Sequence, residues 1–231
     1  MKSKAVRMFF VSIVVAALVA GCARTKQARG LEQEQGFIVD YSMLEKGGED
    51  QALLRYQNPD ADVNSYTKIM LDPVLISTPE NASEQQMADF QRLATNFYVY
   101  LVRELEKDYM LVNAPEPGTM RIQAAVTGAR KSGRVSNAVS SVMPIGIAVS
   151  VTKDFVTGKP TGVGEAATEM KITDAMTGEL LGAAVDRRVG GKRIQGVVDT
   201  WYEADGAVEF WAKRLSYILC KERGDIDCEK P

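Results

Sequence analysis

The stretch "EAATEMKITDAMTGELLGAAVDRR", residues 165–188, decides the fold. In its first half Ala166, Thr168, Met170 and Ile172 fall on one side, and Glu165, Glu169 and Lys171 on the other. A period of two is that of a half-buried strand. "DAMTGE" (174–179) then turns the chain, and Leu181, Ala183 and Val185 alternate back. The whole reads as an antiparallel hairpin. A register that pairs Asp174 with Glu179 sets Glu165 opposite Arg188, a favourable cross-strand pair. The same register turns Arg187 toward the covered face, where it needs a partner.

Working outward, "MRIQAAVTGA" (120–129) sets Ile122, Ala124 and Val126 against Arg121, Gln123 and Thr127, which predicts another half-buried strand. "TKIMLDPVLI" (67–76) predicts a buried strand interrupted at Asp72-Pro73. Proline cannot donate to a ladder, so Pro73 marks a strand end, a bulge or an edge. "YMLVN" (109–113) is a further short apolar run. Two helices complete the pattern. Ser83 and Gln86 form a capping box, followed by Met87, Phe90, Leu93, Ala94, Phe97, Leu101, Val102 and Leu105 at helical spacing. Phe97 lies on that stripe, so the Phe97, Tyr98 and Tyr100 cluster reads as core packing rather than a binding surface. The second helix is capped by Asp199, carries Trp201, Ala204, Val208, Trp211, Leu215 and Ile218, and ends at Gly224. The order strand, helix, strands, helix predicts an α+β fold: an antiparallel or mixed sheet with helices packed on one face, a two-layer sandwich.

The beginning of the chain has a different grammar. Lys2, Lys4 and Arg7 precede an apolar run of 13 residues, Met8 to Ala20. A spanning helix needs about 20, and this length suits a signal-peptide core. Val19-Ala20-Gly21-Cys22 resembles the lipobox of bacterial lipoproteins. The resemblance implies cleavage before Cys22 and lipid on its thiol and amino group. Ala23, where many inner-membrane lipoproteins carry aspartate, implies the outer membrane, with the protein facing the periplasm. The expected organisation is a signal peptide over 1–21, lipidated Cys22 and a flexible tether over 22–36, and a single periplasmic domain over 37–231. Within that domain, Phe37 to Leu44 brings apolar residues that dock on the rest.

Composition narrows the chemistry. The chain has no histidine, which removes the commonest general base, most zinc sites and the usual nucleophilic triads. Without residues 1–21 the net charge is −5, so nothing draws the whole chain to nucleic acid or to an anionic membrane surface. Cys220 and Cys228 have the spacing of a small disulfide loop in an oxidising compartment; two free thiols in a frayed tail are the alternative. Residues 134–164 are rich in Ser, Val, Ala and Gly, with only Arg134, Lys153, Asp154 and Lys159 charged. They fit an amphipathic helix broken at Pro144, a hairpin that inserts into a membrane on assembly, or a partner-recruiting surface.

No motif supplies catalysis. "VGGKR" (189–193) lacks the first glycine and the hydroxyl residue of a phosphate loop. Arg187, Arg188, Lys192 and Arg193, beside Asp186, form a candidate anion- or partner-binding patch, against which stands a plain solvated strand end. Glu165 and Glu169 lie on one strand face about 13 Å apart, beyond the usual separation for glycoside cleavage, and basic neighbours are their expected partners. Asp40, Asp60, Asp62 and Asp72 have turn or strand-end contexts that capping explains. No metal site and no cofactor are expected.

The segments "FIVDYSMLEKG" (37–47), "YQNPDADVNSYTKIMLDPV" (56–74), "VGEAATEMKITDAMTGELLGAAVDRRVGGK" (163–192) and "FWAKRL" (210–215) together resemble an uncharacterised family of bacterial lipoproteins, a domain of unknown function. That family implies no activity, cofactor or catalytic residues. A looser similarity of element order and of the D-x-x-T-G-E turn runs to periplasmic lipoproteins of cell-wall regulation and secretion-pore assembly. The expectation is a non-enzymatic, lipid-anchored accessory or binding protein of the cell envelope, held to the membrane through Cys22, with an envelope protein or glycan as partner and no nucleic acid. The alternative is a self-assembling pore or ring subunit, a homo-oligomer using residues 134–160.

Overall fold

A computed structural model describes residues 25–27, 36–77, 82–130, 165–189 and 201–231. In chain order the elements are β1 (Lys26–Gln27), β2 (Glu45–Lys46), β3 (Leu54–Gln57), β4 (Lys68–Leu71), β5 (Leu75–Ile76), α1 (Glu84–Leu105), β6 (Met110–Leu111), β7 (Thr119–Arg130), β8 (Glu165–Asp174), β9 (Leu180–Val189) and α2 (Tyr202–Glu222). Among the described residues the strands form one mixed nine-stranded sheet in the order β2-β3-β9-β8-β7-β4-β6, with β1 beside β9 and β5 beside β7. The pairs β4–β6, β4–β7 and β5–β7 are parallel, and the others are antiparallel. Both described helices belong to one face, which makes this the α+β sandwich that the element order predicts.

The core lies between that face and the helices. Ile69, Met120, Ile122, Ala124, Val126, Ala166 and Met170 of the sheet meet Phe90, Leu93, Phe97, Leu101 and Leu105 of α1 and Ala204, Val208, Trp211, Leu215 and Leu219 of α2. Phe97 is fully buried, and its ring lies 6.2 Å from that of Trp211. The Ser83–Gln86 capping box forms as its spacing requires. Helix α2 differs at its start: Trp201 holds the cap position without a side-chain cap, and Asp199, the expected cap, lies outside the described residues. Leu219, rather than the exposed Ile218, completes its buried stripe. At its end Gly224 adopts a φ of 80°, a left-handed conformation that glycine takes without a Cβ clash.

Asp72-Pro73 does interrupt a strand. β4 and β5 run along the same edge of β7 on either side of it, and Asp72 accepts from the Arg121 guanidinium and the Gln123 amide.

The hairpin forms, but its register departs from expectation by one residue. The Asp174 N–H does donate to the Glu179 carbonyl, and Thr173 pairs with Leu180, yet Ile172 pairs with Gly182. Leu181 is the extra residue of a bulge. Beyond it, one residue of slip exchanges the faces of the whole strand. Gly182, Ala184, Asp186 and Arg188 face the helices, whereas Ala183, Val185 and Arg187 share the other face with Glu169. Glu165 consequently pairs with Val189, and Arg188 with Ala166.

A second difference concerns the polar segment after Cys22. It is not tether throughout: Lys26 pairs with Val189 and Gln27 with Arg188.

Candidate functional site

Two carboxylates on adjacent strands hold the N-terminal segments. On the face away from the helices, Glu169 of β8 is 0% exposed. Its oxygens accept from the N–H groups of Phe37 (2.9 Å to each), Ile38 (2.7 Å) and Val39 (3.2 Å), and from the Tyr41 hydroxyl (2.6 Å). Three successive backbone N–H groups aimed at one anion make a nest. Burial and the adjacent Glu169 carboxylate push the Tyr41 phenol up, so it remains a donor. The segment 36–41 is thus strapped over the sheet with Val39 buried, in line with the expected docking of residues 37–44. The partners of Glu169 among the described residues are backbone N–H groups and a phenol, however, and not the basic neighbours expected. Enclosed in this way, its carboxylate has no access to a substrate. The side chain of Glu165 lies outside the described residues.

On the helix face, Asp186 of β9 is 5% exposed. It accepts from Trp211 Nε1 (2.8 Å) and Gln27 Nε2 (2.7 Å), tying α2 and the segment at 25–27 to the sheet. Two positions further along the strand, the Arg188 guanidinium stacks 3.5 Å over Phe210. Its Nε and Nη2 donate to the Thr25 hydroxyl (3.0 Å) and carbonyl (2.5 Å). Burial draws the Arg188 guanidinium below its usual range; Asp186 opposes the shift and nearby Arg214 adds to it. It stays charged, as arginine does in proteins.

Beside these groups lies a groove of about 990 Å³. It exists because the bulge places two small residues, Gly182 and Ala184, on the strand floor next to α2. One wall is the α2 surface carrying Phe210, Arg214 and Tyr217. The other includes residues 50–52 and the C-terminal tail. That tail is held by the Cys220–Cys228 disulfide and by Lys230 paired with Asp50 at 2.6 Å.

Three guanidinium groups line the groove, from β3 (Arg55), β9 (Arg188) and α2 (Arg214). Arg55 sits opposite Ala184, so it shares the helix-facing side of the sheet. Its guanidinium forms no hydrogen bond or ion pair with a described residue. Arg214 lies over the Tyr217 ring and donates to the Asp50 carbonyl. Most acids along the groove are engaged: Asp205 by Asn96 and Tyr100, Glu209 by Arg103 and Lys213, and Glu222 by Gln57. Glu203 is buried, with Oε2 lacking a hydrogen-bond partner among the described residues. It lies in the first turn of α2, where the helix dipole favours negative charge.

Of the patch proposed from sequence, Arg187 and Arg188 are consecutive on a strand and part to opposite faces. Arg187 is buried on the strap side, and Lys192 and Arg193 lie outside the described residues. What replaces the patch joins Arg188 to Arg55 and Arg214. The sequence offers only a faint signal for this: Arg214 follows Phe210 by one helical turn. Cys22 and residues 134–160 also fall outside the described residues. Among those described, no group of three or more Cys, Asp or Glu could hold a metal ion, and no helix is long and apolar enough to cross a membrane.

Fold and site together define an α+β domain with a lined groove and with two buried carboxylates committed to holding its own chain. The chain belongs to the family described as protein of unknown function (DUF3313), which matches residues 33–215. No curated protein matches it in sequence. Similar solved structures include the PelC dodecamer from Paraburkholderia phytofirmans, at 11% identity over 75% of this chain and 96% of that one, TM-score 0.37. A putative neuraminyllactose-binding hemagglutinin homolog from Helicobacter pylori is 11% identical over 73% and 90%, TM-score 0.38. A minor lipoprotein from Acinetobacter baumannii is 12% identical over 68% and 94%, TM-score 0.30. At such distances we take no function from them.

Proposed function

We propose that this protein is a lipid-anchored, non-catalytic binding or accessory protein of the cell envelope. It is tethered to the outer membrane through Cys22, faces the periplasm, and takes an anionic segment of an envelope partner into the groove. The observation that carries this reading is the convergence of Arg55, Arg188 and Arg214 on one groove. A guanidinium presents a planar fork of donors suited to carboxylate or phosphate, and among the described residues the Arg55 fork has no hydrogen-bond partner. The anchor is supported by the pattern ending at Cys22, and the non-catalytic role by the enclosure of Glu169 and the absence of histidine.

The test is crosslinking in intact cells, comparing the native protein with Arg55→Glu/Arg214→Glu. The native protein should yield a defined complex. The double variant should lose it while keeping its thermal midpoint to within a few degrees, since surface substitutions change stability by roughly 0.5 kcal/mol. An undiminished complex in the folded variant refutes the groove. Native mass measurement on gently extracted protein should show acyl mass on Cys22; a defined ring of copies would favour the self-assembly alternative through residues 134–160.

A further inference from the structure

Lys26 follows Cys22 by only four residues. A fully extended chain gains at most ~3.6 Å per residue, so the leash from Cys22 to the sheet spans no more than about 14 Å. A free coil of 13 residues would have allowed about 20 Å on average, with excursions well beyond that. The leash also ends firmly: Thr25 is bound to Arg188, Lys26 and Gln27 pair with β9, and the Gln27 side chain reaches Asp186.

The register shows which part of the molecule the leash meets. Arg130 pairs with Glu165, Glu165 with Val189, and Val189 with Lys26. These four positions form the last row at one end of the sheet. The opposite end carries the β8–β9 turn at 175–179 and, beside the start of β4, Met110. Nine strand rises along β8 separate the two ends by about 30 Å.

We propose that the sheet end formed by Arg130, Glu165, Val189 and Lys26 faces the bilayer and rests against its headgroups. This rests on the reading of Cys22 as the acylated residue. The short leash decides it: with no more than about 14 Å of chain between the acylated residue and Lys26, the row that contains Lys26 is held nearer the acyl chains than the turn about 30 Å away.

The experiment uses the full-length lipidated protein in vesicles of phosphatidylethanolamine and phosphatidylglycerol with nitroxide-bearing headgroups. A fluorophore is placed by Lys26→Cys at the near end, or by Met176→Cys or Met110→Cys at the far end, where both methionines are exposed. Labelling follows oxidative folding, with the Cys220–Cys228 bridge closed. Most of the fluorescence at 26 should be lost, with no loss at 176 or 110 beyond the nitroxide-free control. Equal quenching at all three positions, or stronger quenching at either far position, overturns the orientation while leaving the anchor intact. Absence of acyl mass on Cys22 together with failure to float with vesicles overturns the anchor, and the orientation with it.

Discussion

Replacing Glu169 by alanine tests the strap directly. The carboxylate is fully buried and serves three backbone N–H groups and the Tyr41 hydroxyl. Hydrogen bonds to a charged group contribute roughly 1.5–3 kcal/mol each, but their sum overstates the loss, because the chain has two responses. If segment 36–41 stays docked, each stranded donor costs about 1–3 kcal/mol. If it lifts, the donors regain water, and the burial of Val39, about 1.5–3 kcal/mol, is lost. Val185 beneath it is fully buried in the intact protein and would then be uncovered. Recovered chain entropy of about 1–2 kcal/mol per residue partly offsets this second route. The easier response sets the result, which we expect near 3 kcal/mol by equilibrium urea unfolding, with Glu169→Gln losing somewhat less. Amide exchange at residues 37–39 should become fast in the alanine variant. A loss below about 1 kcal/mol with exchange at 37–39 still slow would refute the account, since the strap would then be held by something other than Glu169.

Two further outcomes follow from other parts of the molecule. Asp174 accepts from the Thr177 and Met176 N–H groups and from Tyr66. The Thr177 backbone bond, against the opposing pull of burial and with help from Met176 and Tyr66, holds its carboxyl below the usual aspartate range. Its stabilisation is therefore present above the unfolded value of about 3.9 and fades as pH falls through the folded value. Asp174→Ala should lower the urea midpoint clearly at pH 7 and much less near pH 2, and a pH-independent difference would contradict this. Opening the Cys220–Cys228 bridge by Cys→Ser at both positions should cost roughly 2.5 kcal/mol on the chain-entropy model. It should also free the tail residue Lys230 from Asp50, seen as faster exchange after residue 223 with α2 unchanged; loss of α2 as well would mean that the bridge holds more than the tail.

Much of the architecture was legible because it is local. The two described helices announce themselves by stripes at a period of 3.6, and the first also by its Ser83–Gln86 capping box. Phe97 and Trp211 are core residues by position alone, and the interruption at Pro73 follows from a missing N–H. The strap was legible only as a tendency of residues 37–44 to dock, because nothing in their sequence names Glu169, 130 residues away from Val39.

What the sequence determined by itself, then, is the kind of the longer elements and the approximate turn of the hairpin. What the tertiary structure decided is which side chains meet. The bulge at Leu181 leaves no sign in an alternating pattern, because Ala183, Ala184 and Val185 suit either face. Yet that one residue moves Arg188 under the helices and Arg187 away from them. Arg55, Arg188 and Arg214 come from three elements spread over more than half the chain, and only sheet register and helix packing set them around one groove. The same holds for residues 25–27, whose polar composition reads as linker until β9 offers them an edge. Periodicity is a property of neighbours in the chain, whereas a groove, a clamp and an orientation are properties of contacts between distant residues, each displaced by a single residue of slip.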